Sequence, residues 1–298
     1  MERNGTGVCT ASFGELLQGM LPSQRKFLVN FPIRRRSKAT VTLSPPRYSA
    51  EKEAQIAASH QRFPKSYKLV RNVLADLGSH DDCLLEIDSE IPVGKGLSSS
   101  TADMVAAIRA LGQALSLAFK ETYLGQMLTE IEPNDGLQYA GTSAYHHTTG
   151  ELIARVDWVP PFRIFGIDFG GIVDTVAFNE QKMDFPAHQC SRYETLLNDI
   201  LSALRQHDCA AVGAIASEST RMWQAVRPRT QLDRIFELAA ATGSEGVVNT
   251  HSGTFIGLLY SPDRRDWADI GEEVRQALPD MATDWFASLG LDMEAGCG

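Results

Sequence analysis

Ile91-Pro92-Val93-Gly94-Lys95-Gly96-Leu97-Ser98-Ser99-Ser100-Thr101-Ala102-Asp103 joins a strand to a long helix through a loop of glycines and hydroxyls. Upstream, Cys83 to Ile91 alternates apolar and acidic residues toward its end and stops at Pro92, the pattern of a half-buried strand. Downstream, Met104, Val105, Ile108, Leu111, Leu115 and Ala118 recur at helical spacing behind a Ser/Thr cap and an early Asp103. A helix start leaves backbone N–H groups unpaired and carries the positive end of the dipole, so it attracts anions. Gly94 and Gly96 let the backbone approach such an anion, the serine hydroxyls add donors and a potential magnesium ligand, and Lys95 adds a charge. The same residues also read as a Gly-rich turn before an ordinary cap, which needs one hydroxyl and at most one glycine.

Two common alternatives do not fit. Lys95 precedes the second glycine instead of following it, so the Walker spacing is absent, and Leu97 with its serine run breaks the G-x-S-x-G nucleophile pattern.

With 298 residues, 43% hydrophobic and 22% charged, the chain has ordinary globular composition and length for one large domain or two moderate ones. A formal charge of −9 argues against nucleic acid as a partner, and Arg34-Arg35-Arg36 reads as a solvated turn or strand edge. Cys9, Cys83, Cys190, Cys209 and Cys297 form no C-x-x-C pair and no even framework, the pattern of reduced thiols in the cytoplasm. The polar N-terminus and the lack of a long apolar run predict no membrane partner.

Residues 6–19 place small residues and glycines around Glu15, either as a surface turn with Glu15 solvated or as a buried segment with a purpose for that carboxylate. Strands are expected at Lys26 to Ile33 and Lys38 to Leu43, and a helix from Ser66 to Leu77 closing on Gly78. A helix from Glu121 to Ile131 ends before Pro133. The next segment, Glu130-Ile131-Glu132-Pro133-Asn134-Asp135-Gly136, is ordinary turn chemistry by itself. Beside a phosphate loop the same carboxylates could hold magnesium and accept a hydroxyl proton. His146-His147 points its rings in different directions on a strand, which disfavours a metal site.

A strand from Glu151 to Trp158 leads to Val159-Pro160-Pro161, the candidate boundary between domains 1–160 and 161–298. Beyond it, strands are expected at Phe162 to Phe169 and Ile172 to Phe178, and helices at Ser191 to Arg205, Cys209 to Trp223 and Leu232 to Ala241. Strands at Glu245 to Asn249 and Thr254 to Tyr260 and a helix near Asp266 to Leu278 complete an α+β sandwich. His251 lies in the turn between those strands and reads as a surface histidine.

Pro92 to Ser100 spells P-x-x-x-G-L-[GS]-S-S and resembles the second motif of the GHMP kinases; the segments around Glu15 and His251 follow that family's order and spacing. Ala11-Ser12-Phe13-Gly14-Glu15-Leu16-Leu17-Gln18-Gly19 resembles the entry motif of its bacterial L-threonine kinases linked to cobalamin side-chain synthesis, with Thr10 and Phe13 replacing an expected proline and cysteine and Asn134 where threonine is common. The resemblance implies an α+β, two-domain GHMP kinase fold, with an N-terminal ribosomal-protein-S5-like domain and a C-terminal ferredoxin-like sandwich. It implies transfer of the ATP γ-phosphoryl group to a small hydroxyl substrate, L-threonine first, with homoserine or another hydroxylated intermediate as the alternative. A regulator that binds nucleotide without turnover is disfavoured, because the loop, metal and base positions hold competent residues. By the same resemblance Pro92, Gly94, Lys95, Gly96, Leu97, Ser98, Ser99 and Ser100 bind the nucleotide, and Ser100 and Glu132 hold Mg2+, with Glu130 competing. Asp135 and Lys95 are the catalytic residues; Gly14, Glu15, Asp135, Ser252, Gly253 and Thr254 bind the acceptor. The expected assembly is a monomer or homodimer.

Overall fold

The computed structural model describes residues 2–45, 50–173 and 185–291. The frame is one long hairpin, β1 (Arg3–Met20) against β2 (Lys26–Ser44), paired from Arg3↔Leu43 to Met20↔Lys26. Residues 6–19 are therefore strand rather than surface turn, and the two strands expected between Lys26 and Leu43 are one. Register shifts at Thr10/Ala11, Ser12/Glu15 and Glu15/Leu17 break the alternation by which a strand is recognised, and from Ala11 to Met20 both faces of β1 are buried. The arginine run lies inside β2 and is held: Arg34 donates to the Leu291 carbonyl, and Arg35 pairs with Asp284 while its guanidinium sits 4.7 Å from the Phe286 ring centroid.

Seven further strands extend this hairpin: β3 (Asp82–Ser89), β4 (Thr142–His146), β5 (Glu151–Val156), β6 (Arg163–Asp168), β7 (Gly246–Asn249), β8 (Phe255–Tyr260) and β9 (Ala282–Ala287). Their order is β5-β4-β2-β1-β7-β8-β6-β9, with β3 pairing the far end of β2 and every pairing antiparallel. Ile172 and Val173 are irregular rather than strand, and the rest of the strand expected there, residues 174–178, lies outside the described residues. β9, absent from the expected order, is a half-exposed strand beside β6.

Helices α1 (Ala50–Arg62), α2 (Pro64–Asp76), α3 (Ser99–Leu115) and α4 (Glu121–Ile131) belong to the first half of the chain. α3 buries Met104, Val105, Ile108 and Leu111 against β1 and β2, and α2 packs between α3 and α4. α1 was not expected, because Ile56 is its single large aliphatic residue; it docks on β3 through Ser59, whose hydroxyl donates to the Leu85 carbonyl at 2.6 Å and accepts from the Leu85 amide at 3.1 Å. In the second half, α5 (Ala187–Gln206) and α6 (Cys209–Met222) pack on β1, while α7 (Leu232–Ala241) and α8 (Trp267–Ala277) enclose a separate core around Phe165, Ile235, Leu258 and Val274.

The halves meet where β1 crosses to β7 at Glu15↔Asn249. Phe13 fills that joint, fully buried, with its ring edge-on to Phe255 at 6.0 Å and Phe286 at 5.0 Å. Phe13→Ala is expected to lower unfolding free energy by about 3–5 kcal/mol, the usual cost of an unfilled aromatic cavity. Urea unfolding checks it, and a loss below about 1 kcal/mol would show that the joint does not depend on this ring.

Candidate active site

α3 does not begin with a conventional cap. Ser98 is left-handed (φ 61°, ψ 30°), its side chain makes no capping bond, and its buried hydroxyl lies beside the Asp135 carboxyl. This corrects the expected Ser/Thr cap and leaves the helix's first N–H groups open to an anion. Gly94 (φ 72°) and Gly96 (φ 79°) turn the preceding chain through conformations that side chains disfavour.

The loop is fastened from both halves by main-chain bonds. Ser12 and Gly14 amides donate to the Leu97 and Gly96 carbonyls at 3.4 and 3.2 Å, the Thr254 amide to the Lys95 carbonyl at 3.1 Å, and the Val173 amide to the Gly94 carbonyl at 2.9 Å. Gly253 lies so close that a Cβ there would overlap the Lys95 carbonyl and Gly96 Cα. Arg227 and Arg229 hold the Gly253 carbonyl at 2.7 and 2.9 Å. Gly14, Gly253 and Thr254 thus meet the loop backbone, Ser252 lines the adjoining cavity, and Leu97 is buried in the core.

Lys95 is placed differently from the expectation that its charge faces phosphate. Its Nζ pairs with Asp168 Oδ2 at 2.6 Å and donates to the Gly171 carbonyl at 2.9 Å, and it is not among the residues lining the cavity.

A cavity of about 490 Å³ opens in front of the loop, with Gly94, Gly96 and Ser98 to Thr101 on one wall and Glu132 and Asp135 on another. Glu132 is buried, accepts from the Ser100 hydroxyl and pairs with Lys65 Nζ at 2.6 Å. Glu130 is exposed on α4 and does not line the cavity. Among the described residues no three His, Cys, Asp or Glu side chains cluster to hold a metal by themselves. Ser100 and Glu132 offer hard oxygen donors, a set that suits magnesium completed by phosphate oxygens and water.

Asp135 accepts from Thr101 Oγ1 at 3.2 Å, and its carbonyl accepts from Asn30 Nδ2 at 3.1 Å. Burial, then the negative charge of Glu15, pushes its carboxyl up to about 7. Asn134 shapes the turn, donating to Thr129 Oγ1 at 3.0 Å and accepting from the Gly136 amide at 3.2 Å.

Glu15 is buried rather than solvated, and His251 is buried rather than at the surface. Their contact spans 2.8 Å from His251 Nδ1 to Glu15 Oε2, with the His251 amide 3.3 Å from the same oxygen. His251 Nε2 meets Ser219 Oγ at 3.2 Å, and its carbonyl accepts from Trp223 Nε1 at 3.2 Å. Burial pushes Glu15 up to about 8; burial, then the Arg229 charge, pushes His251 down to about 3. Near neutral pH the pair is a hydrogen bond between largely uncharged groups. His146 and His147 diverge, His146 Nδ1 meeting the Lys26 carbonyl at 2.8 Å while His147 lines the cavity.

These shifts make stability depend on pH in opposite senses. A carboxyl raised by folding favours the native state at low pH and loses that contribution as pH rises through its folded value; a depressed histidine favours it at high pH and loses that contribution as pH falls. Glu15 and Asp135 act between about 4 and 8, His147 and His251 between 6.5 and about 3. From 4.5 to 6.5 the two pairs oppose each other, and above 6.5 only the carboxyls remain. Urea-unfolding free energy is expected to stay level across the first window and to fall above it by up to about 1.4 kcal/mol per pH unit per group. The double variant Glu15→Gln/Asp135→Asn should abolish that fall; its persistence would assign the effect to other groups.

Residues 65–142 match the model of the GHMP kinases N terminal domain. An L-threonine kinase of Salmonella typhimurium (strain LT2) is 27% identical over 273 residues, 88% of this chain and 85% of that protein. An L-threonine kinase of Citrobacter freundii is 23% identical over 263 residues, 87% of each chain. The crystal structure of homoserine kinase from Cytophaga hutchinsonii has the same fold, with a TM-score of 0.70 at 15% identity over 97% of this chain and 95% of that one. The large antiparallel sheet with its helices matches the two-domain architecture that the motifs implied. The loop from Pro92 to Ser100 lies inside the segment that matches the GHMP kinases N terminal domain, and the relatives that span most of the chain are kinases, so the chain is a phosphotransferase enzyme similar to the GHMP kinases.

Proposed function

We propose that this kinase transfers the γ-phosphoryl group of ATP to the hydroxyl of a small amino acid, L-threonine first. The observation that carries the reading is a buried Asp135 raised to about 7, lining the same cavity as the open helix start of α3. A carboxyl poised there takes a proton near neutral pH without being held permanently in either state.

In this reading the Gly94 to Ser100 backbone and the α3 dipole receive the nucleotide phosphates, helped by the Ser98 hydroxyl on the cavity. Ser100 and Glu132 hold magnesium, which when bound neutralises charge building on the phosphate oxygens. Lys65 keeps Glu132 in place, and Thr101 and Asn30 fix Asp135. Asp135 accepts the acceptor's hydroxyl proton as its oxygen bonds to phosphorus; the bond from phosphorus to the bridging oxygen breaks, and ADP leaves with that electron pair. In this reading Lys95 contributes by anchoring the loop to Asp168.

ADP release with a panel of amino alcohols tests the substrate. L-threonine should be turned over best, and homoserine is the second reading, because a homoserine kinase shares the fold along nearly the whole chain. ATP binding with no turnover of any panel member would contradict the proposal.

Asp135→Ala is expected to lower kcat by about 100-fold or more with ATP affinity nearly unchanged, the scale of a lost general base. Near-normal turnover would remove that role. Ser100→Ala and Glu132→Ala should each raise the magnesium concentration needed for half-maximal rate, and unchanged titrations would refute the metal assignment.

A further inference from the structure

We propose that Gln18, Leu28 and His147 form the acceptor subsite and select a small alcohol that carries an ammonium group and a short apolar branch. This rests on the kinase reading above and names the acceptor's chemical class.

Gln18 and Leu28 are direct partners in the β1–β2 register, so their side chains share a face, and Leu28 is in turn paired with Tyr145 of β4. His147 follows the end of β4, and its carbonyl accepts from the Asn134 amide at 3.2 Å, which ties it to the loop bearing Glu132 and Asp135. Gln18, Leu28 and His147 line the cavity, yet Gln18 is 6% exposed, Leu28 2% and His147 4%. The Gln18 side-chain carboxamide and the His147 ring make no hydrogen bond among the described residues, and Gln18 Oε1 and His147 Nδ1 are buried without partners. A buried polar atom left unpaired costs about 1–3 kcal/mol. Two such side chains on one cavity wall are the signature of groups completed by a ligand.

The hydrogen-bond acceptors on the cavity favour a donor-rich group on that ligand. Glu15, Glu132 and Asp135 line the cavity, and among the described residues that line it Lys65 is the single lysine or arginine and pairs with Glu132. The acceptor's ammonium finds two hydrogen-bond acceptors there, the Glu15 carboxyl and Gln18 Oε1, three residues apart on β1 and both on the cavity. Leu28 supplies the apolar contact for a methyl-sized branch, and the neutral imidazole of His147 offers both a donor and an acceptor to the remaining polar group.

The test compares wild type with Gln18→Leu and His147→Phe. It uses L-threonine and its deaminated analogue 3-hydroxybutyrate, steady-state kinetics, and calorimetric binding of each acceptor without nucleotide. Wild type should prefer the amine-bearing acceptor by about 100-fold, and each variant should raise the acceptor KM and Kd by about 10-fold or more with the ATP KM within about two-fold, as expected for one lost buried polar contact. The near-isosteric Gln18→Glu, with the same readout, serves if Gln18→Leu fails to fold; it should change acceptor KM with ATP KM unmoved. Equal use of both acceptors, an unmoved acceptor KM, or an ATP KM moved as much overturns the subsite while leaving the kinase intact. No turnover of any amino alcohol overturns the proposed function and the subsite with it.

Discussion

The main-chain docking of the Gly94 to Ser100 loop onto backbone from both halves of the chain is what the rest of the site depends on. Its carbonyls are taken by the amides of Ser12, Gly14, Val173 and Thr254, so the loop's own N–H groups and the start of α3 are left to face the cavity. Gly253 permits the approach by having no Cβ, and Arg227 and Arg229 hold its carbonyl from behind. The Lys95–Asp168 pair adds a side-chain tether across the same seam. A long strand, β1, makes this geometry available because it pairs with β2 along its length and touches β7 at Glu15.

Around that loop the cavity concentrates carboxyls that burial keeps partly protonated and histidines that burial keeps neutral. Burial raises the proton affinity of Glu15 and, with the Glu15 charge as a second cause, that of Asp135, while burial holds His251 and His147 uncharged. Such an arrangement is poised to take up positive charge. Magnesium at Glu132 and an ammonium near Glu15 are its natural occupants under the proposed function, and Asp135 lies between those two demands.

The turn from Pro92 to Ser98 and the helices α3, α4 and α5 were legible in the sequence because glycine punctuation and helical periodicity act over a few residues. Glu121 to Ile131 coincides with α4 as found, and Ser191 to Arg205 falls within α5. β1 was obscured by its bulges and by burial on both faces, α1 by having one large aliphatic residue, and β9 by its half-exposed position. The Glu15–His251 contact joins residues 236 positions apart, and nothing local in a Ser-Gly turn marks its histidine as buried. The partner of Lys95 was not legible for a related reason: Asp168 lies 73 positions away in the second half of the chain.

The most direct test of the docked loop is calorimetric ATP affinity in Gly253→Ala, where the added methyl group must push Lys95 and Gly96 away. Overpacking of this kind costs about 1–3 kcal/mol, so the account predicts ATP binding about 10-fold weaker or worse in a variant whose far-UV circular dichroism is unchanged. Wild-type affinity in a folded Gly253→Ala protein would contradict it.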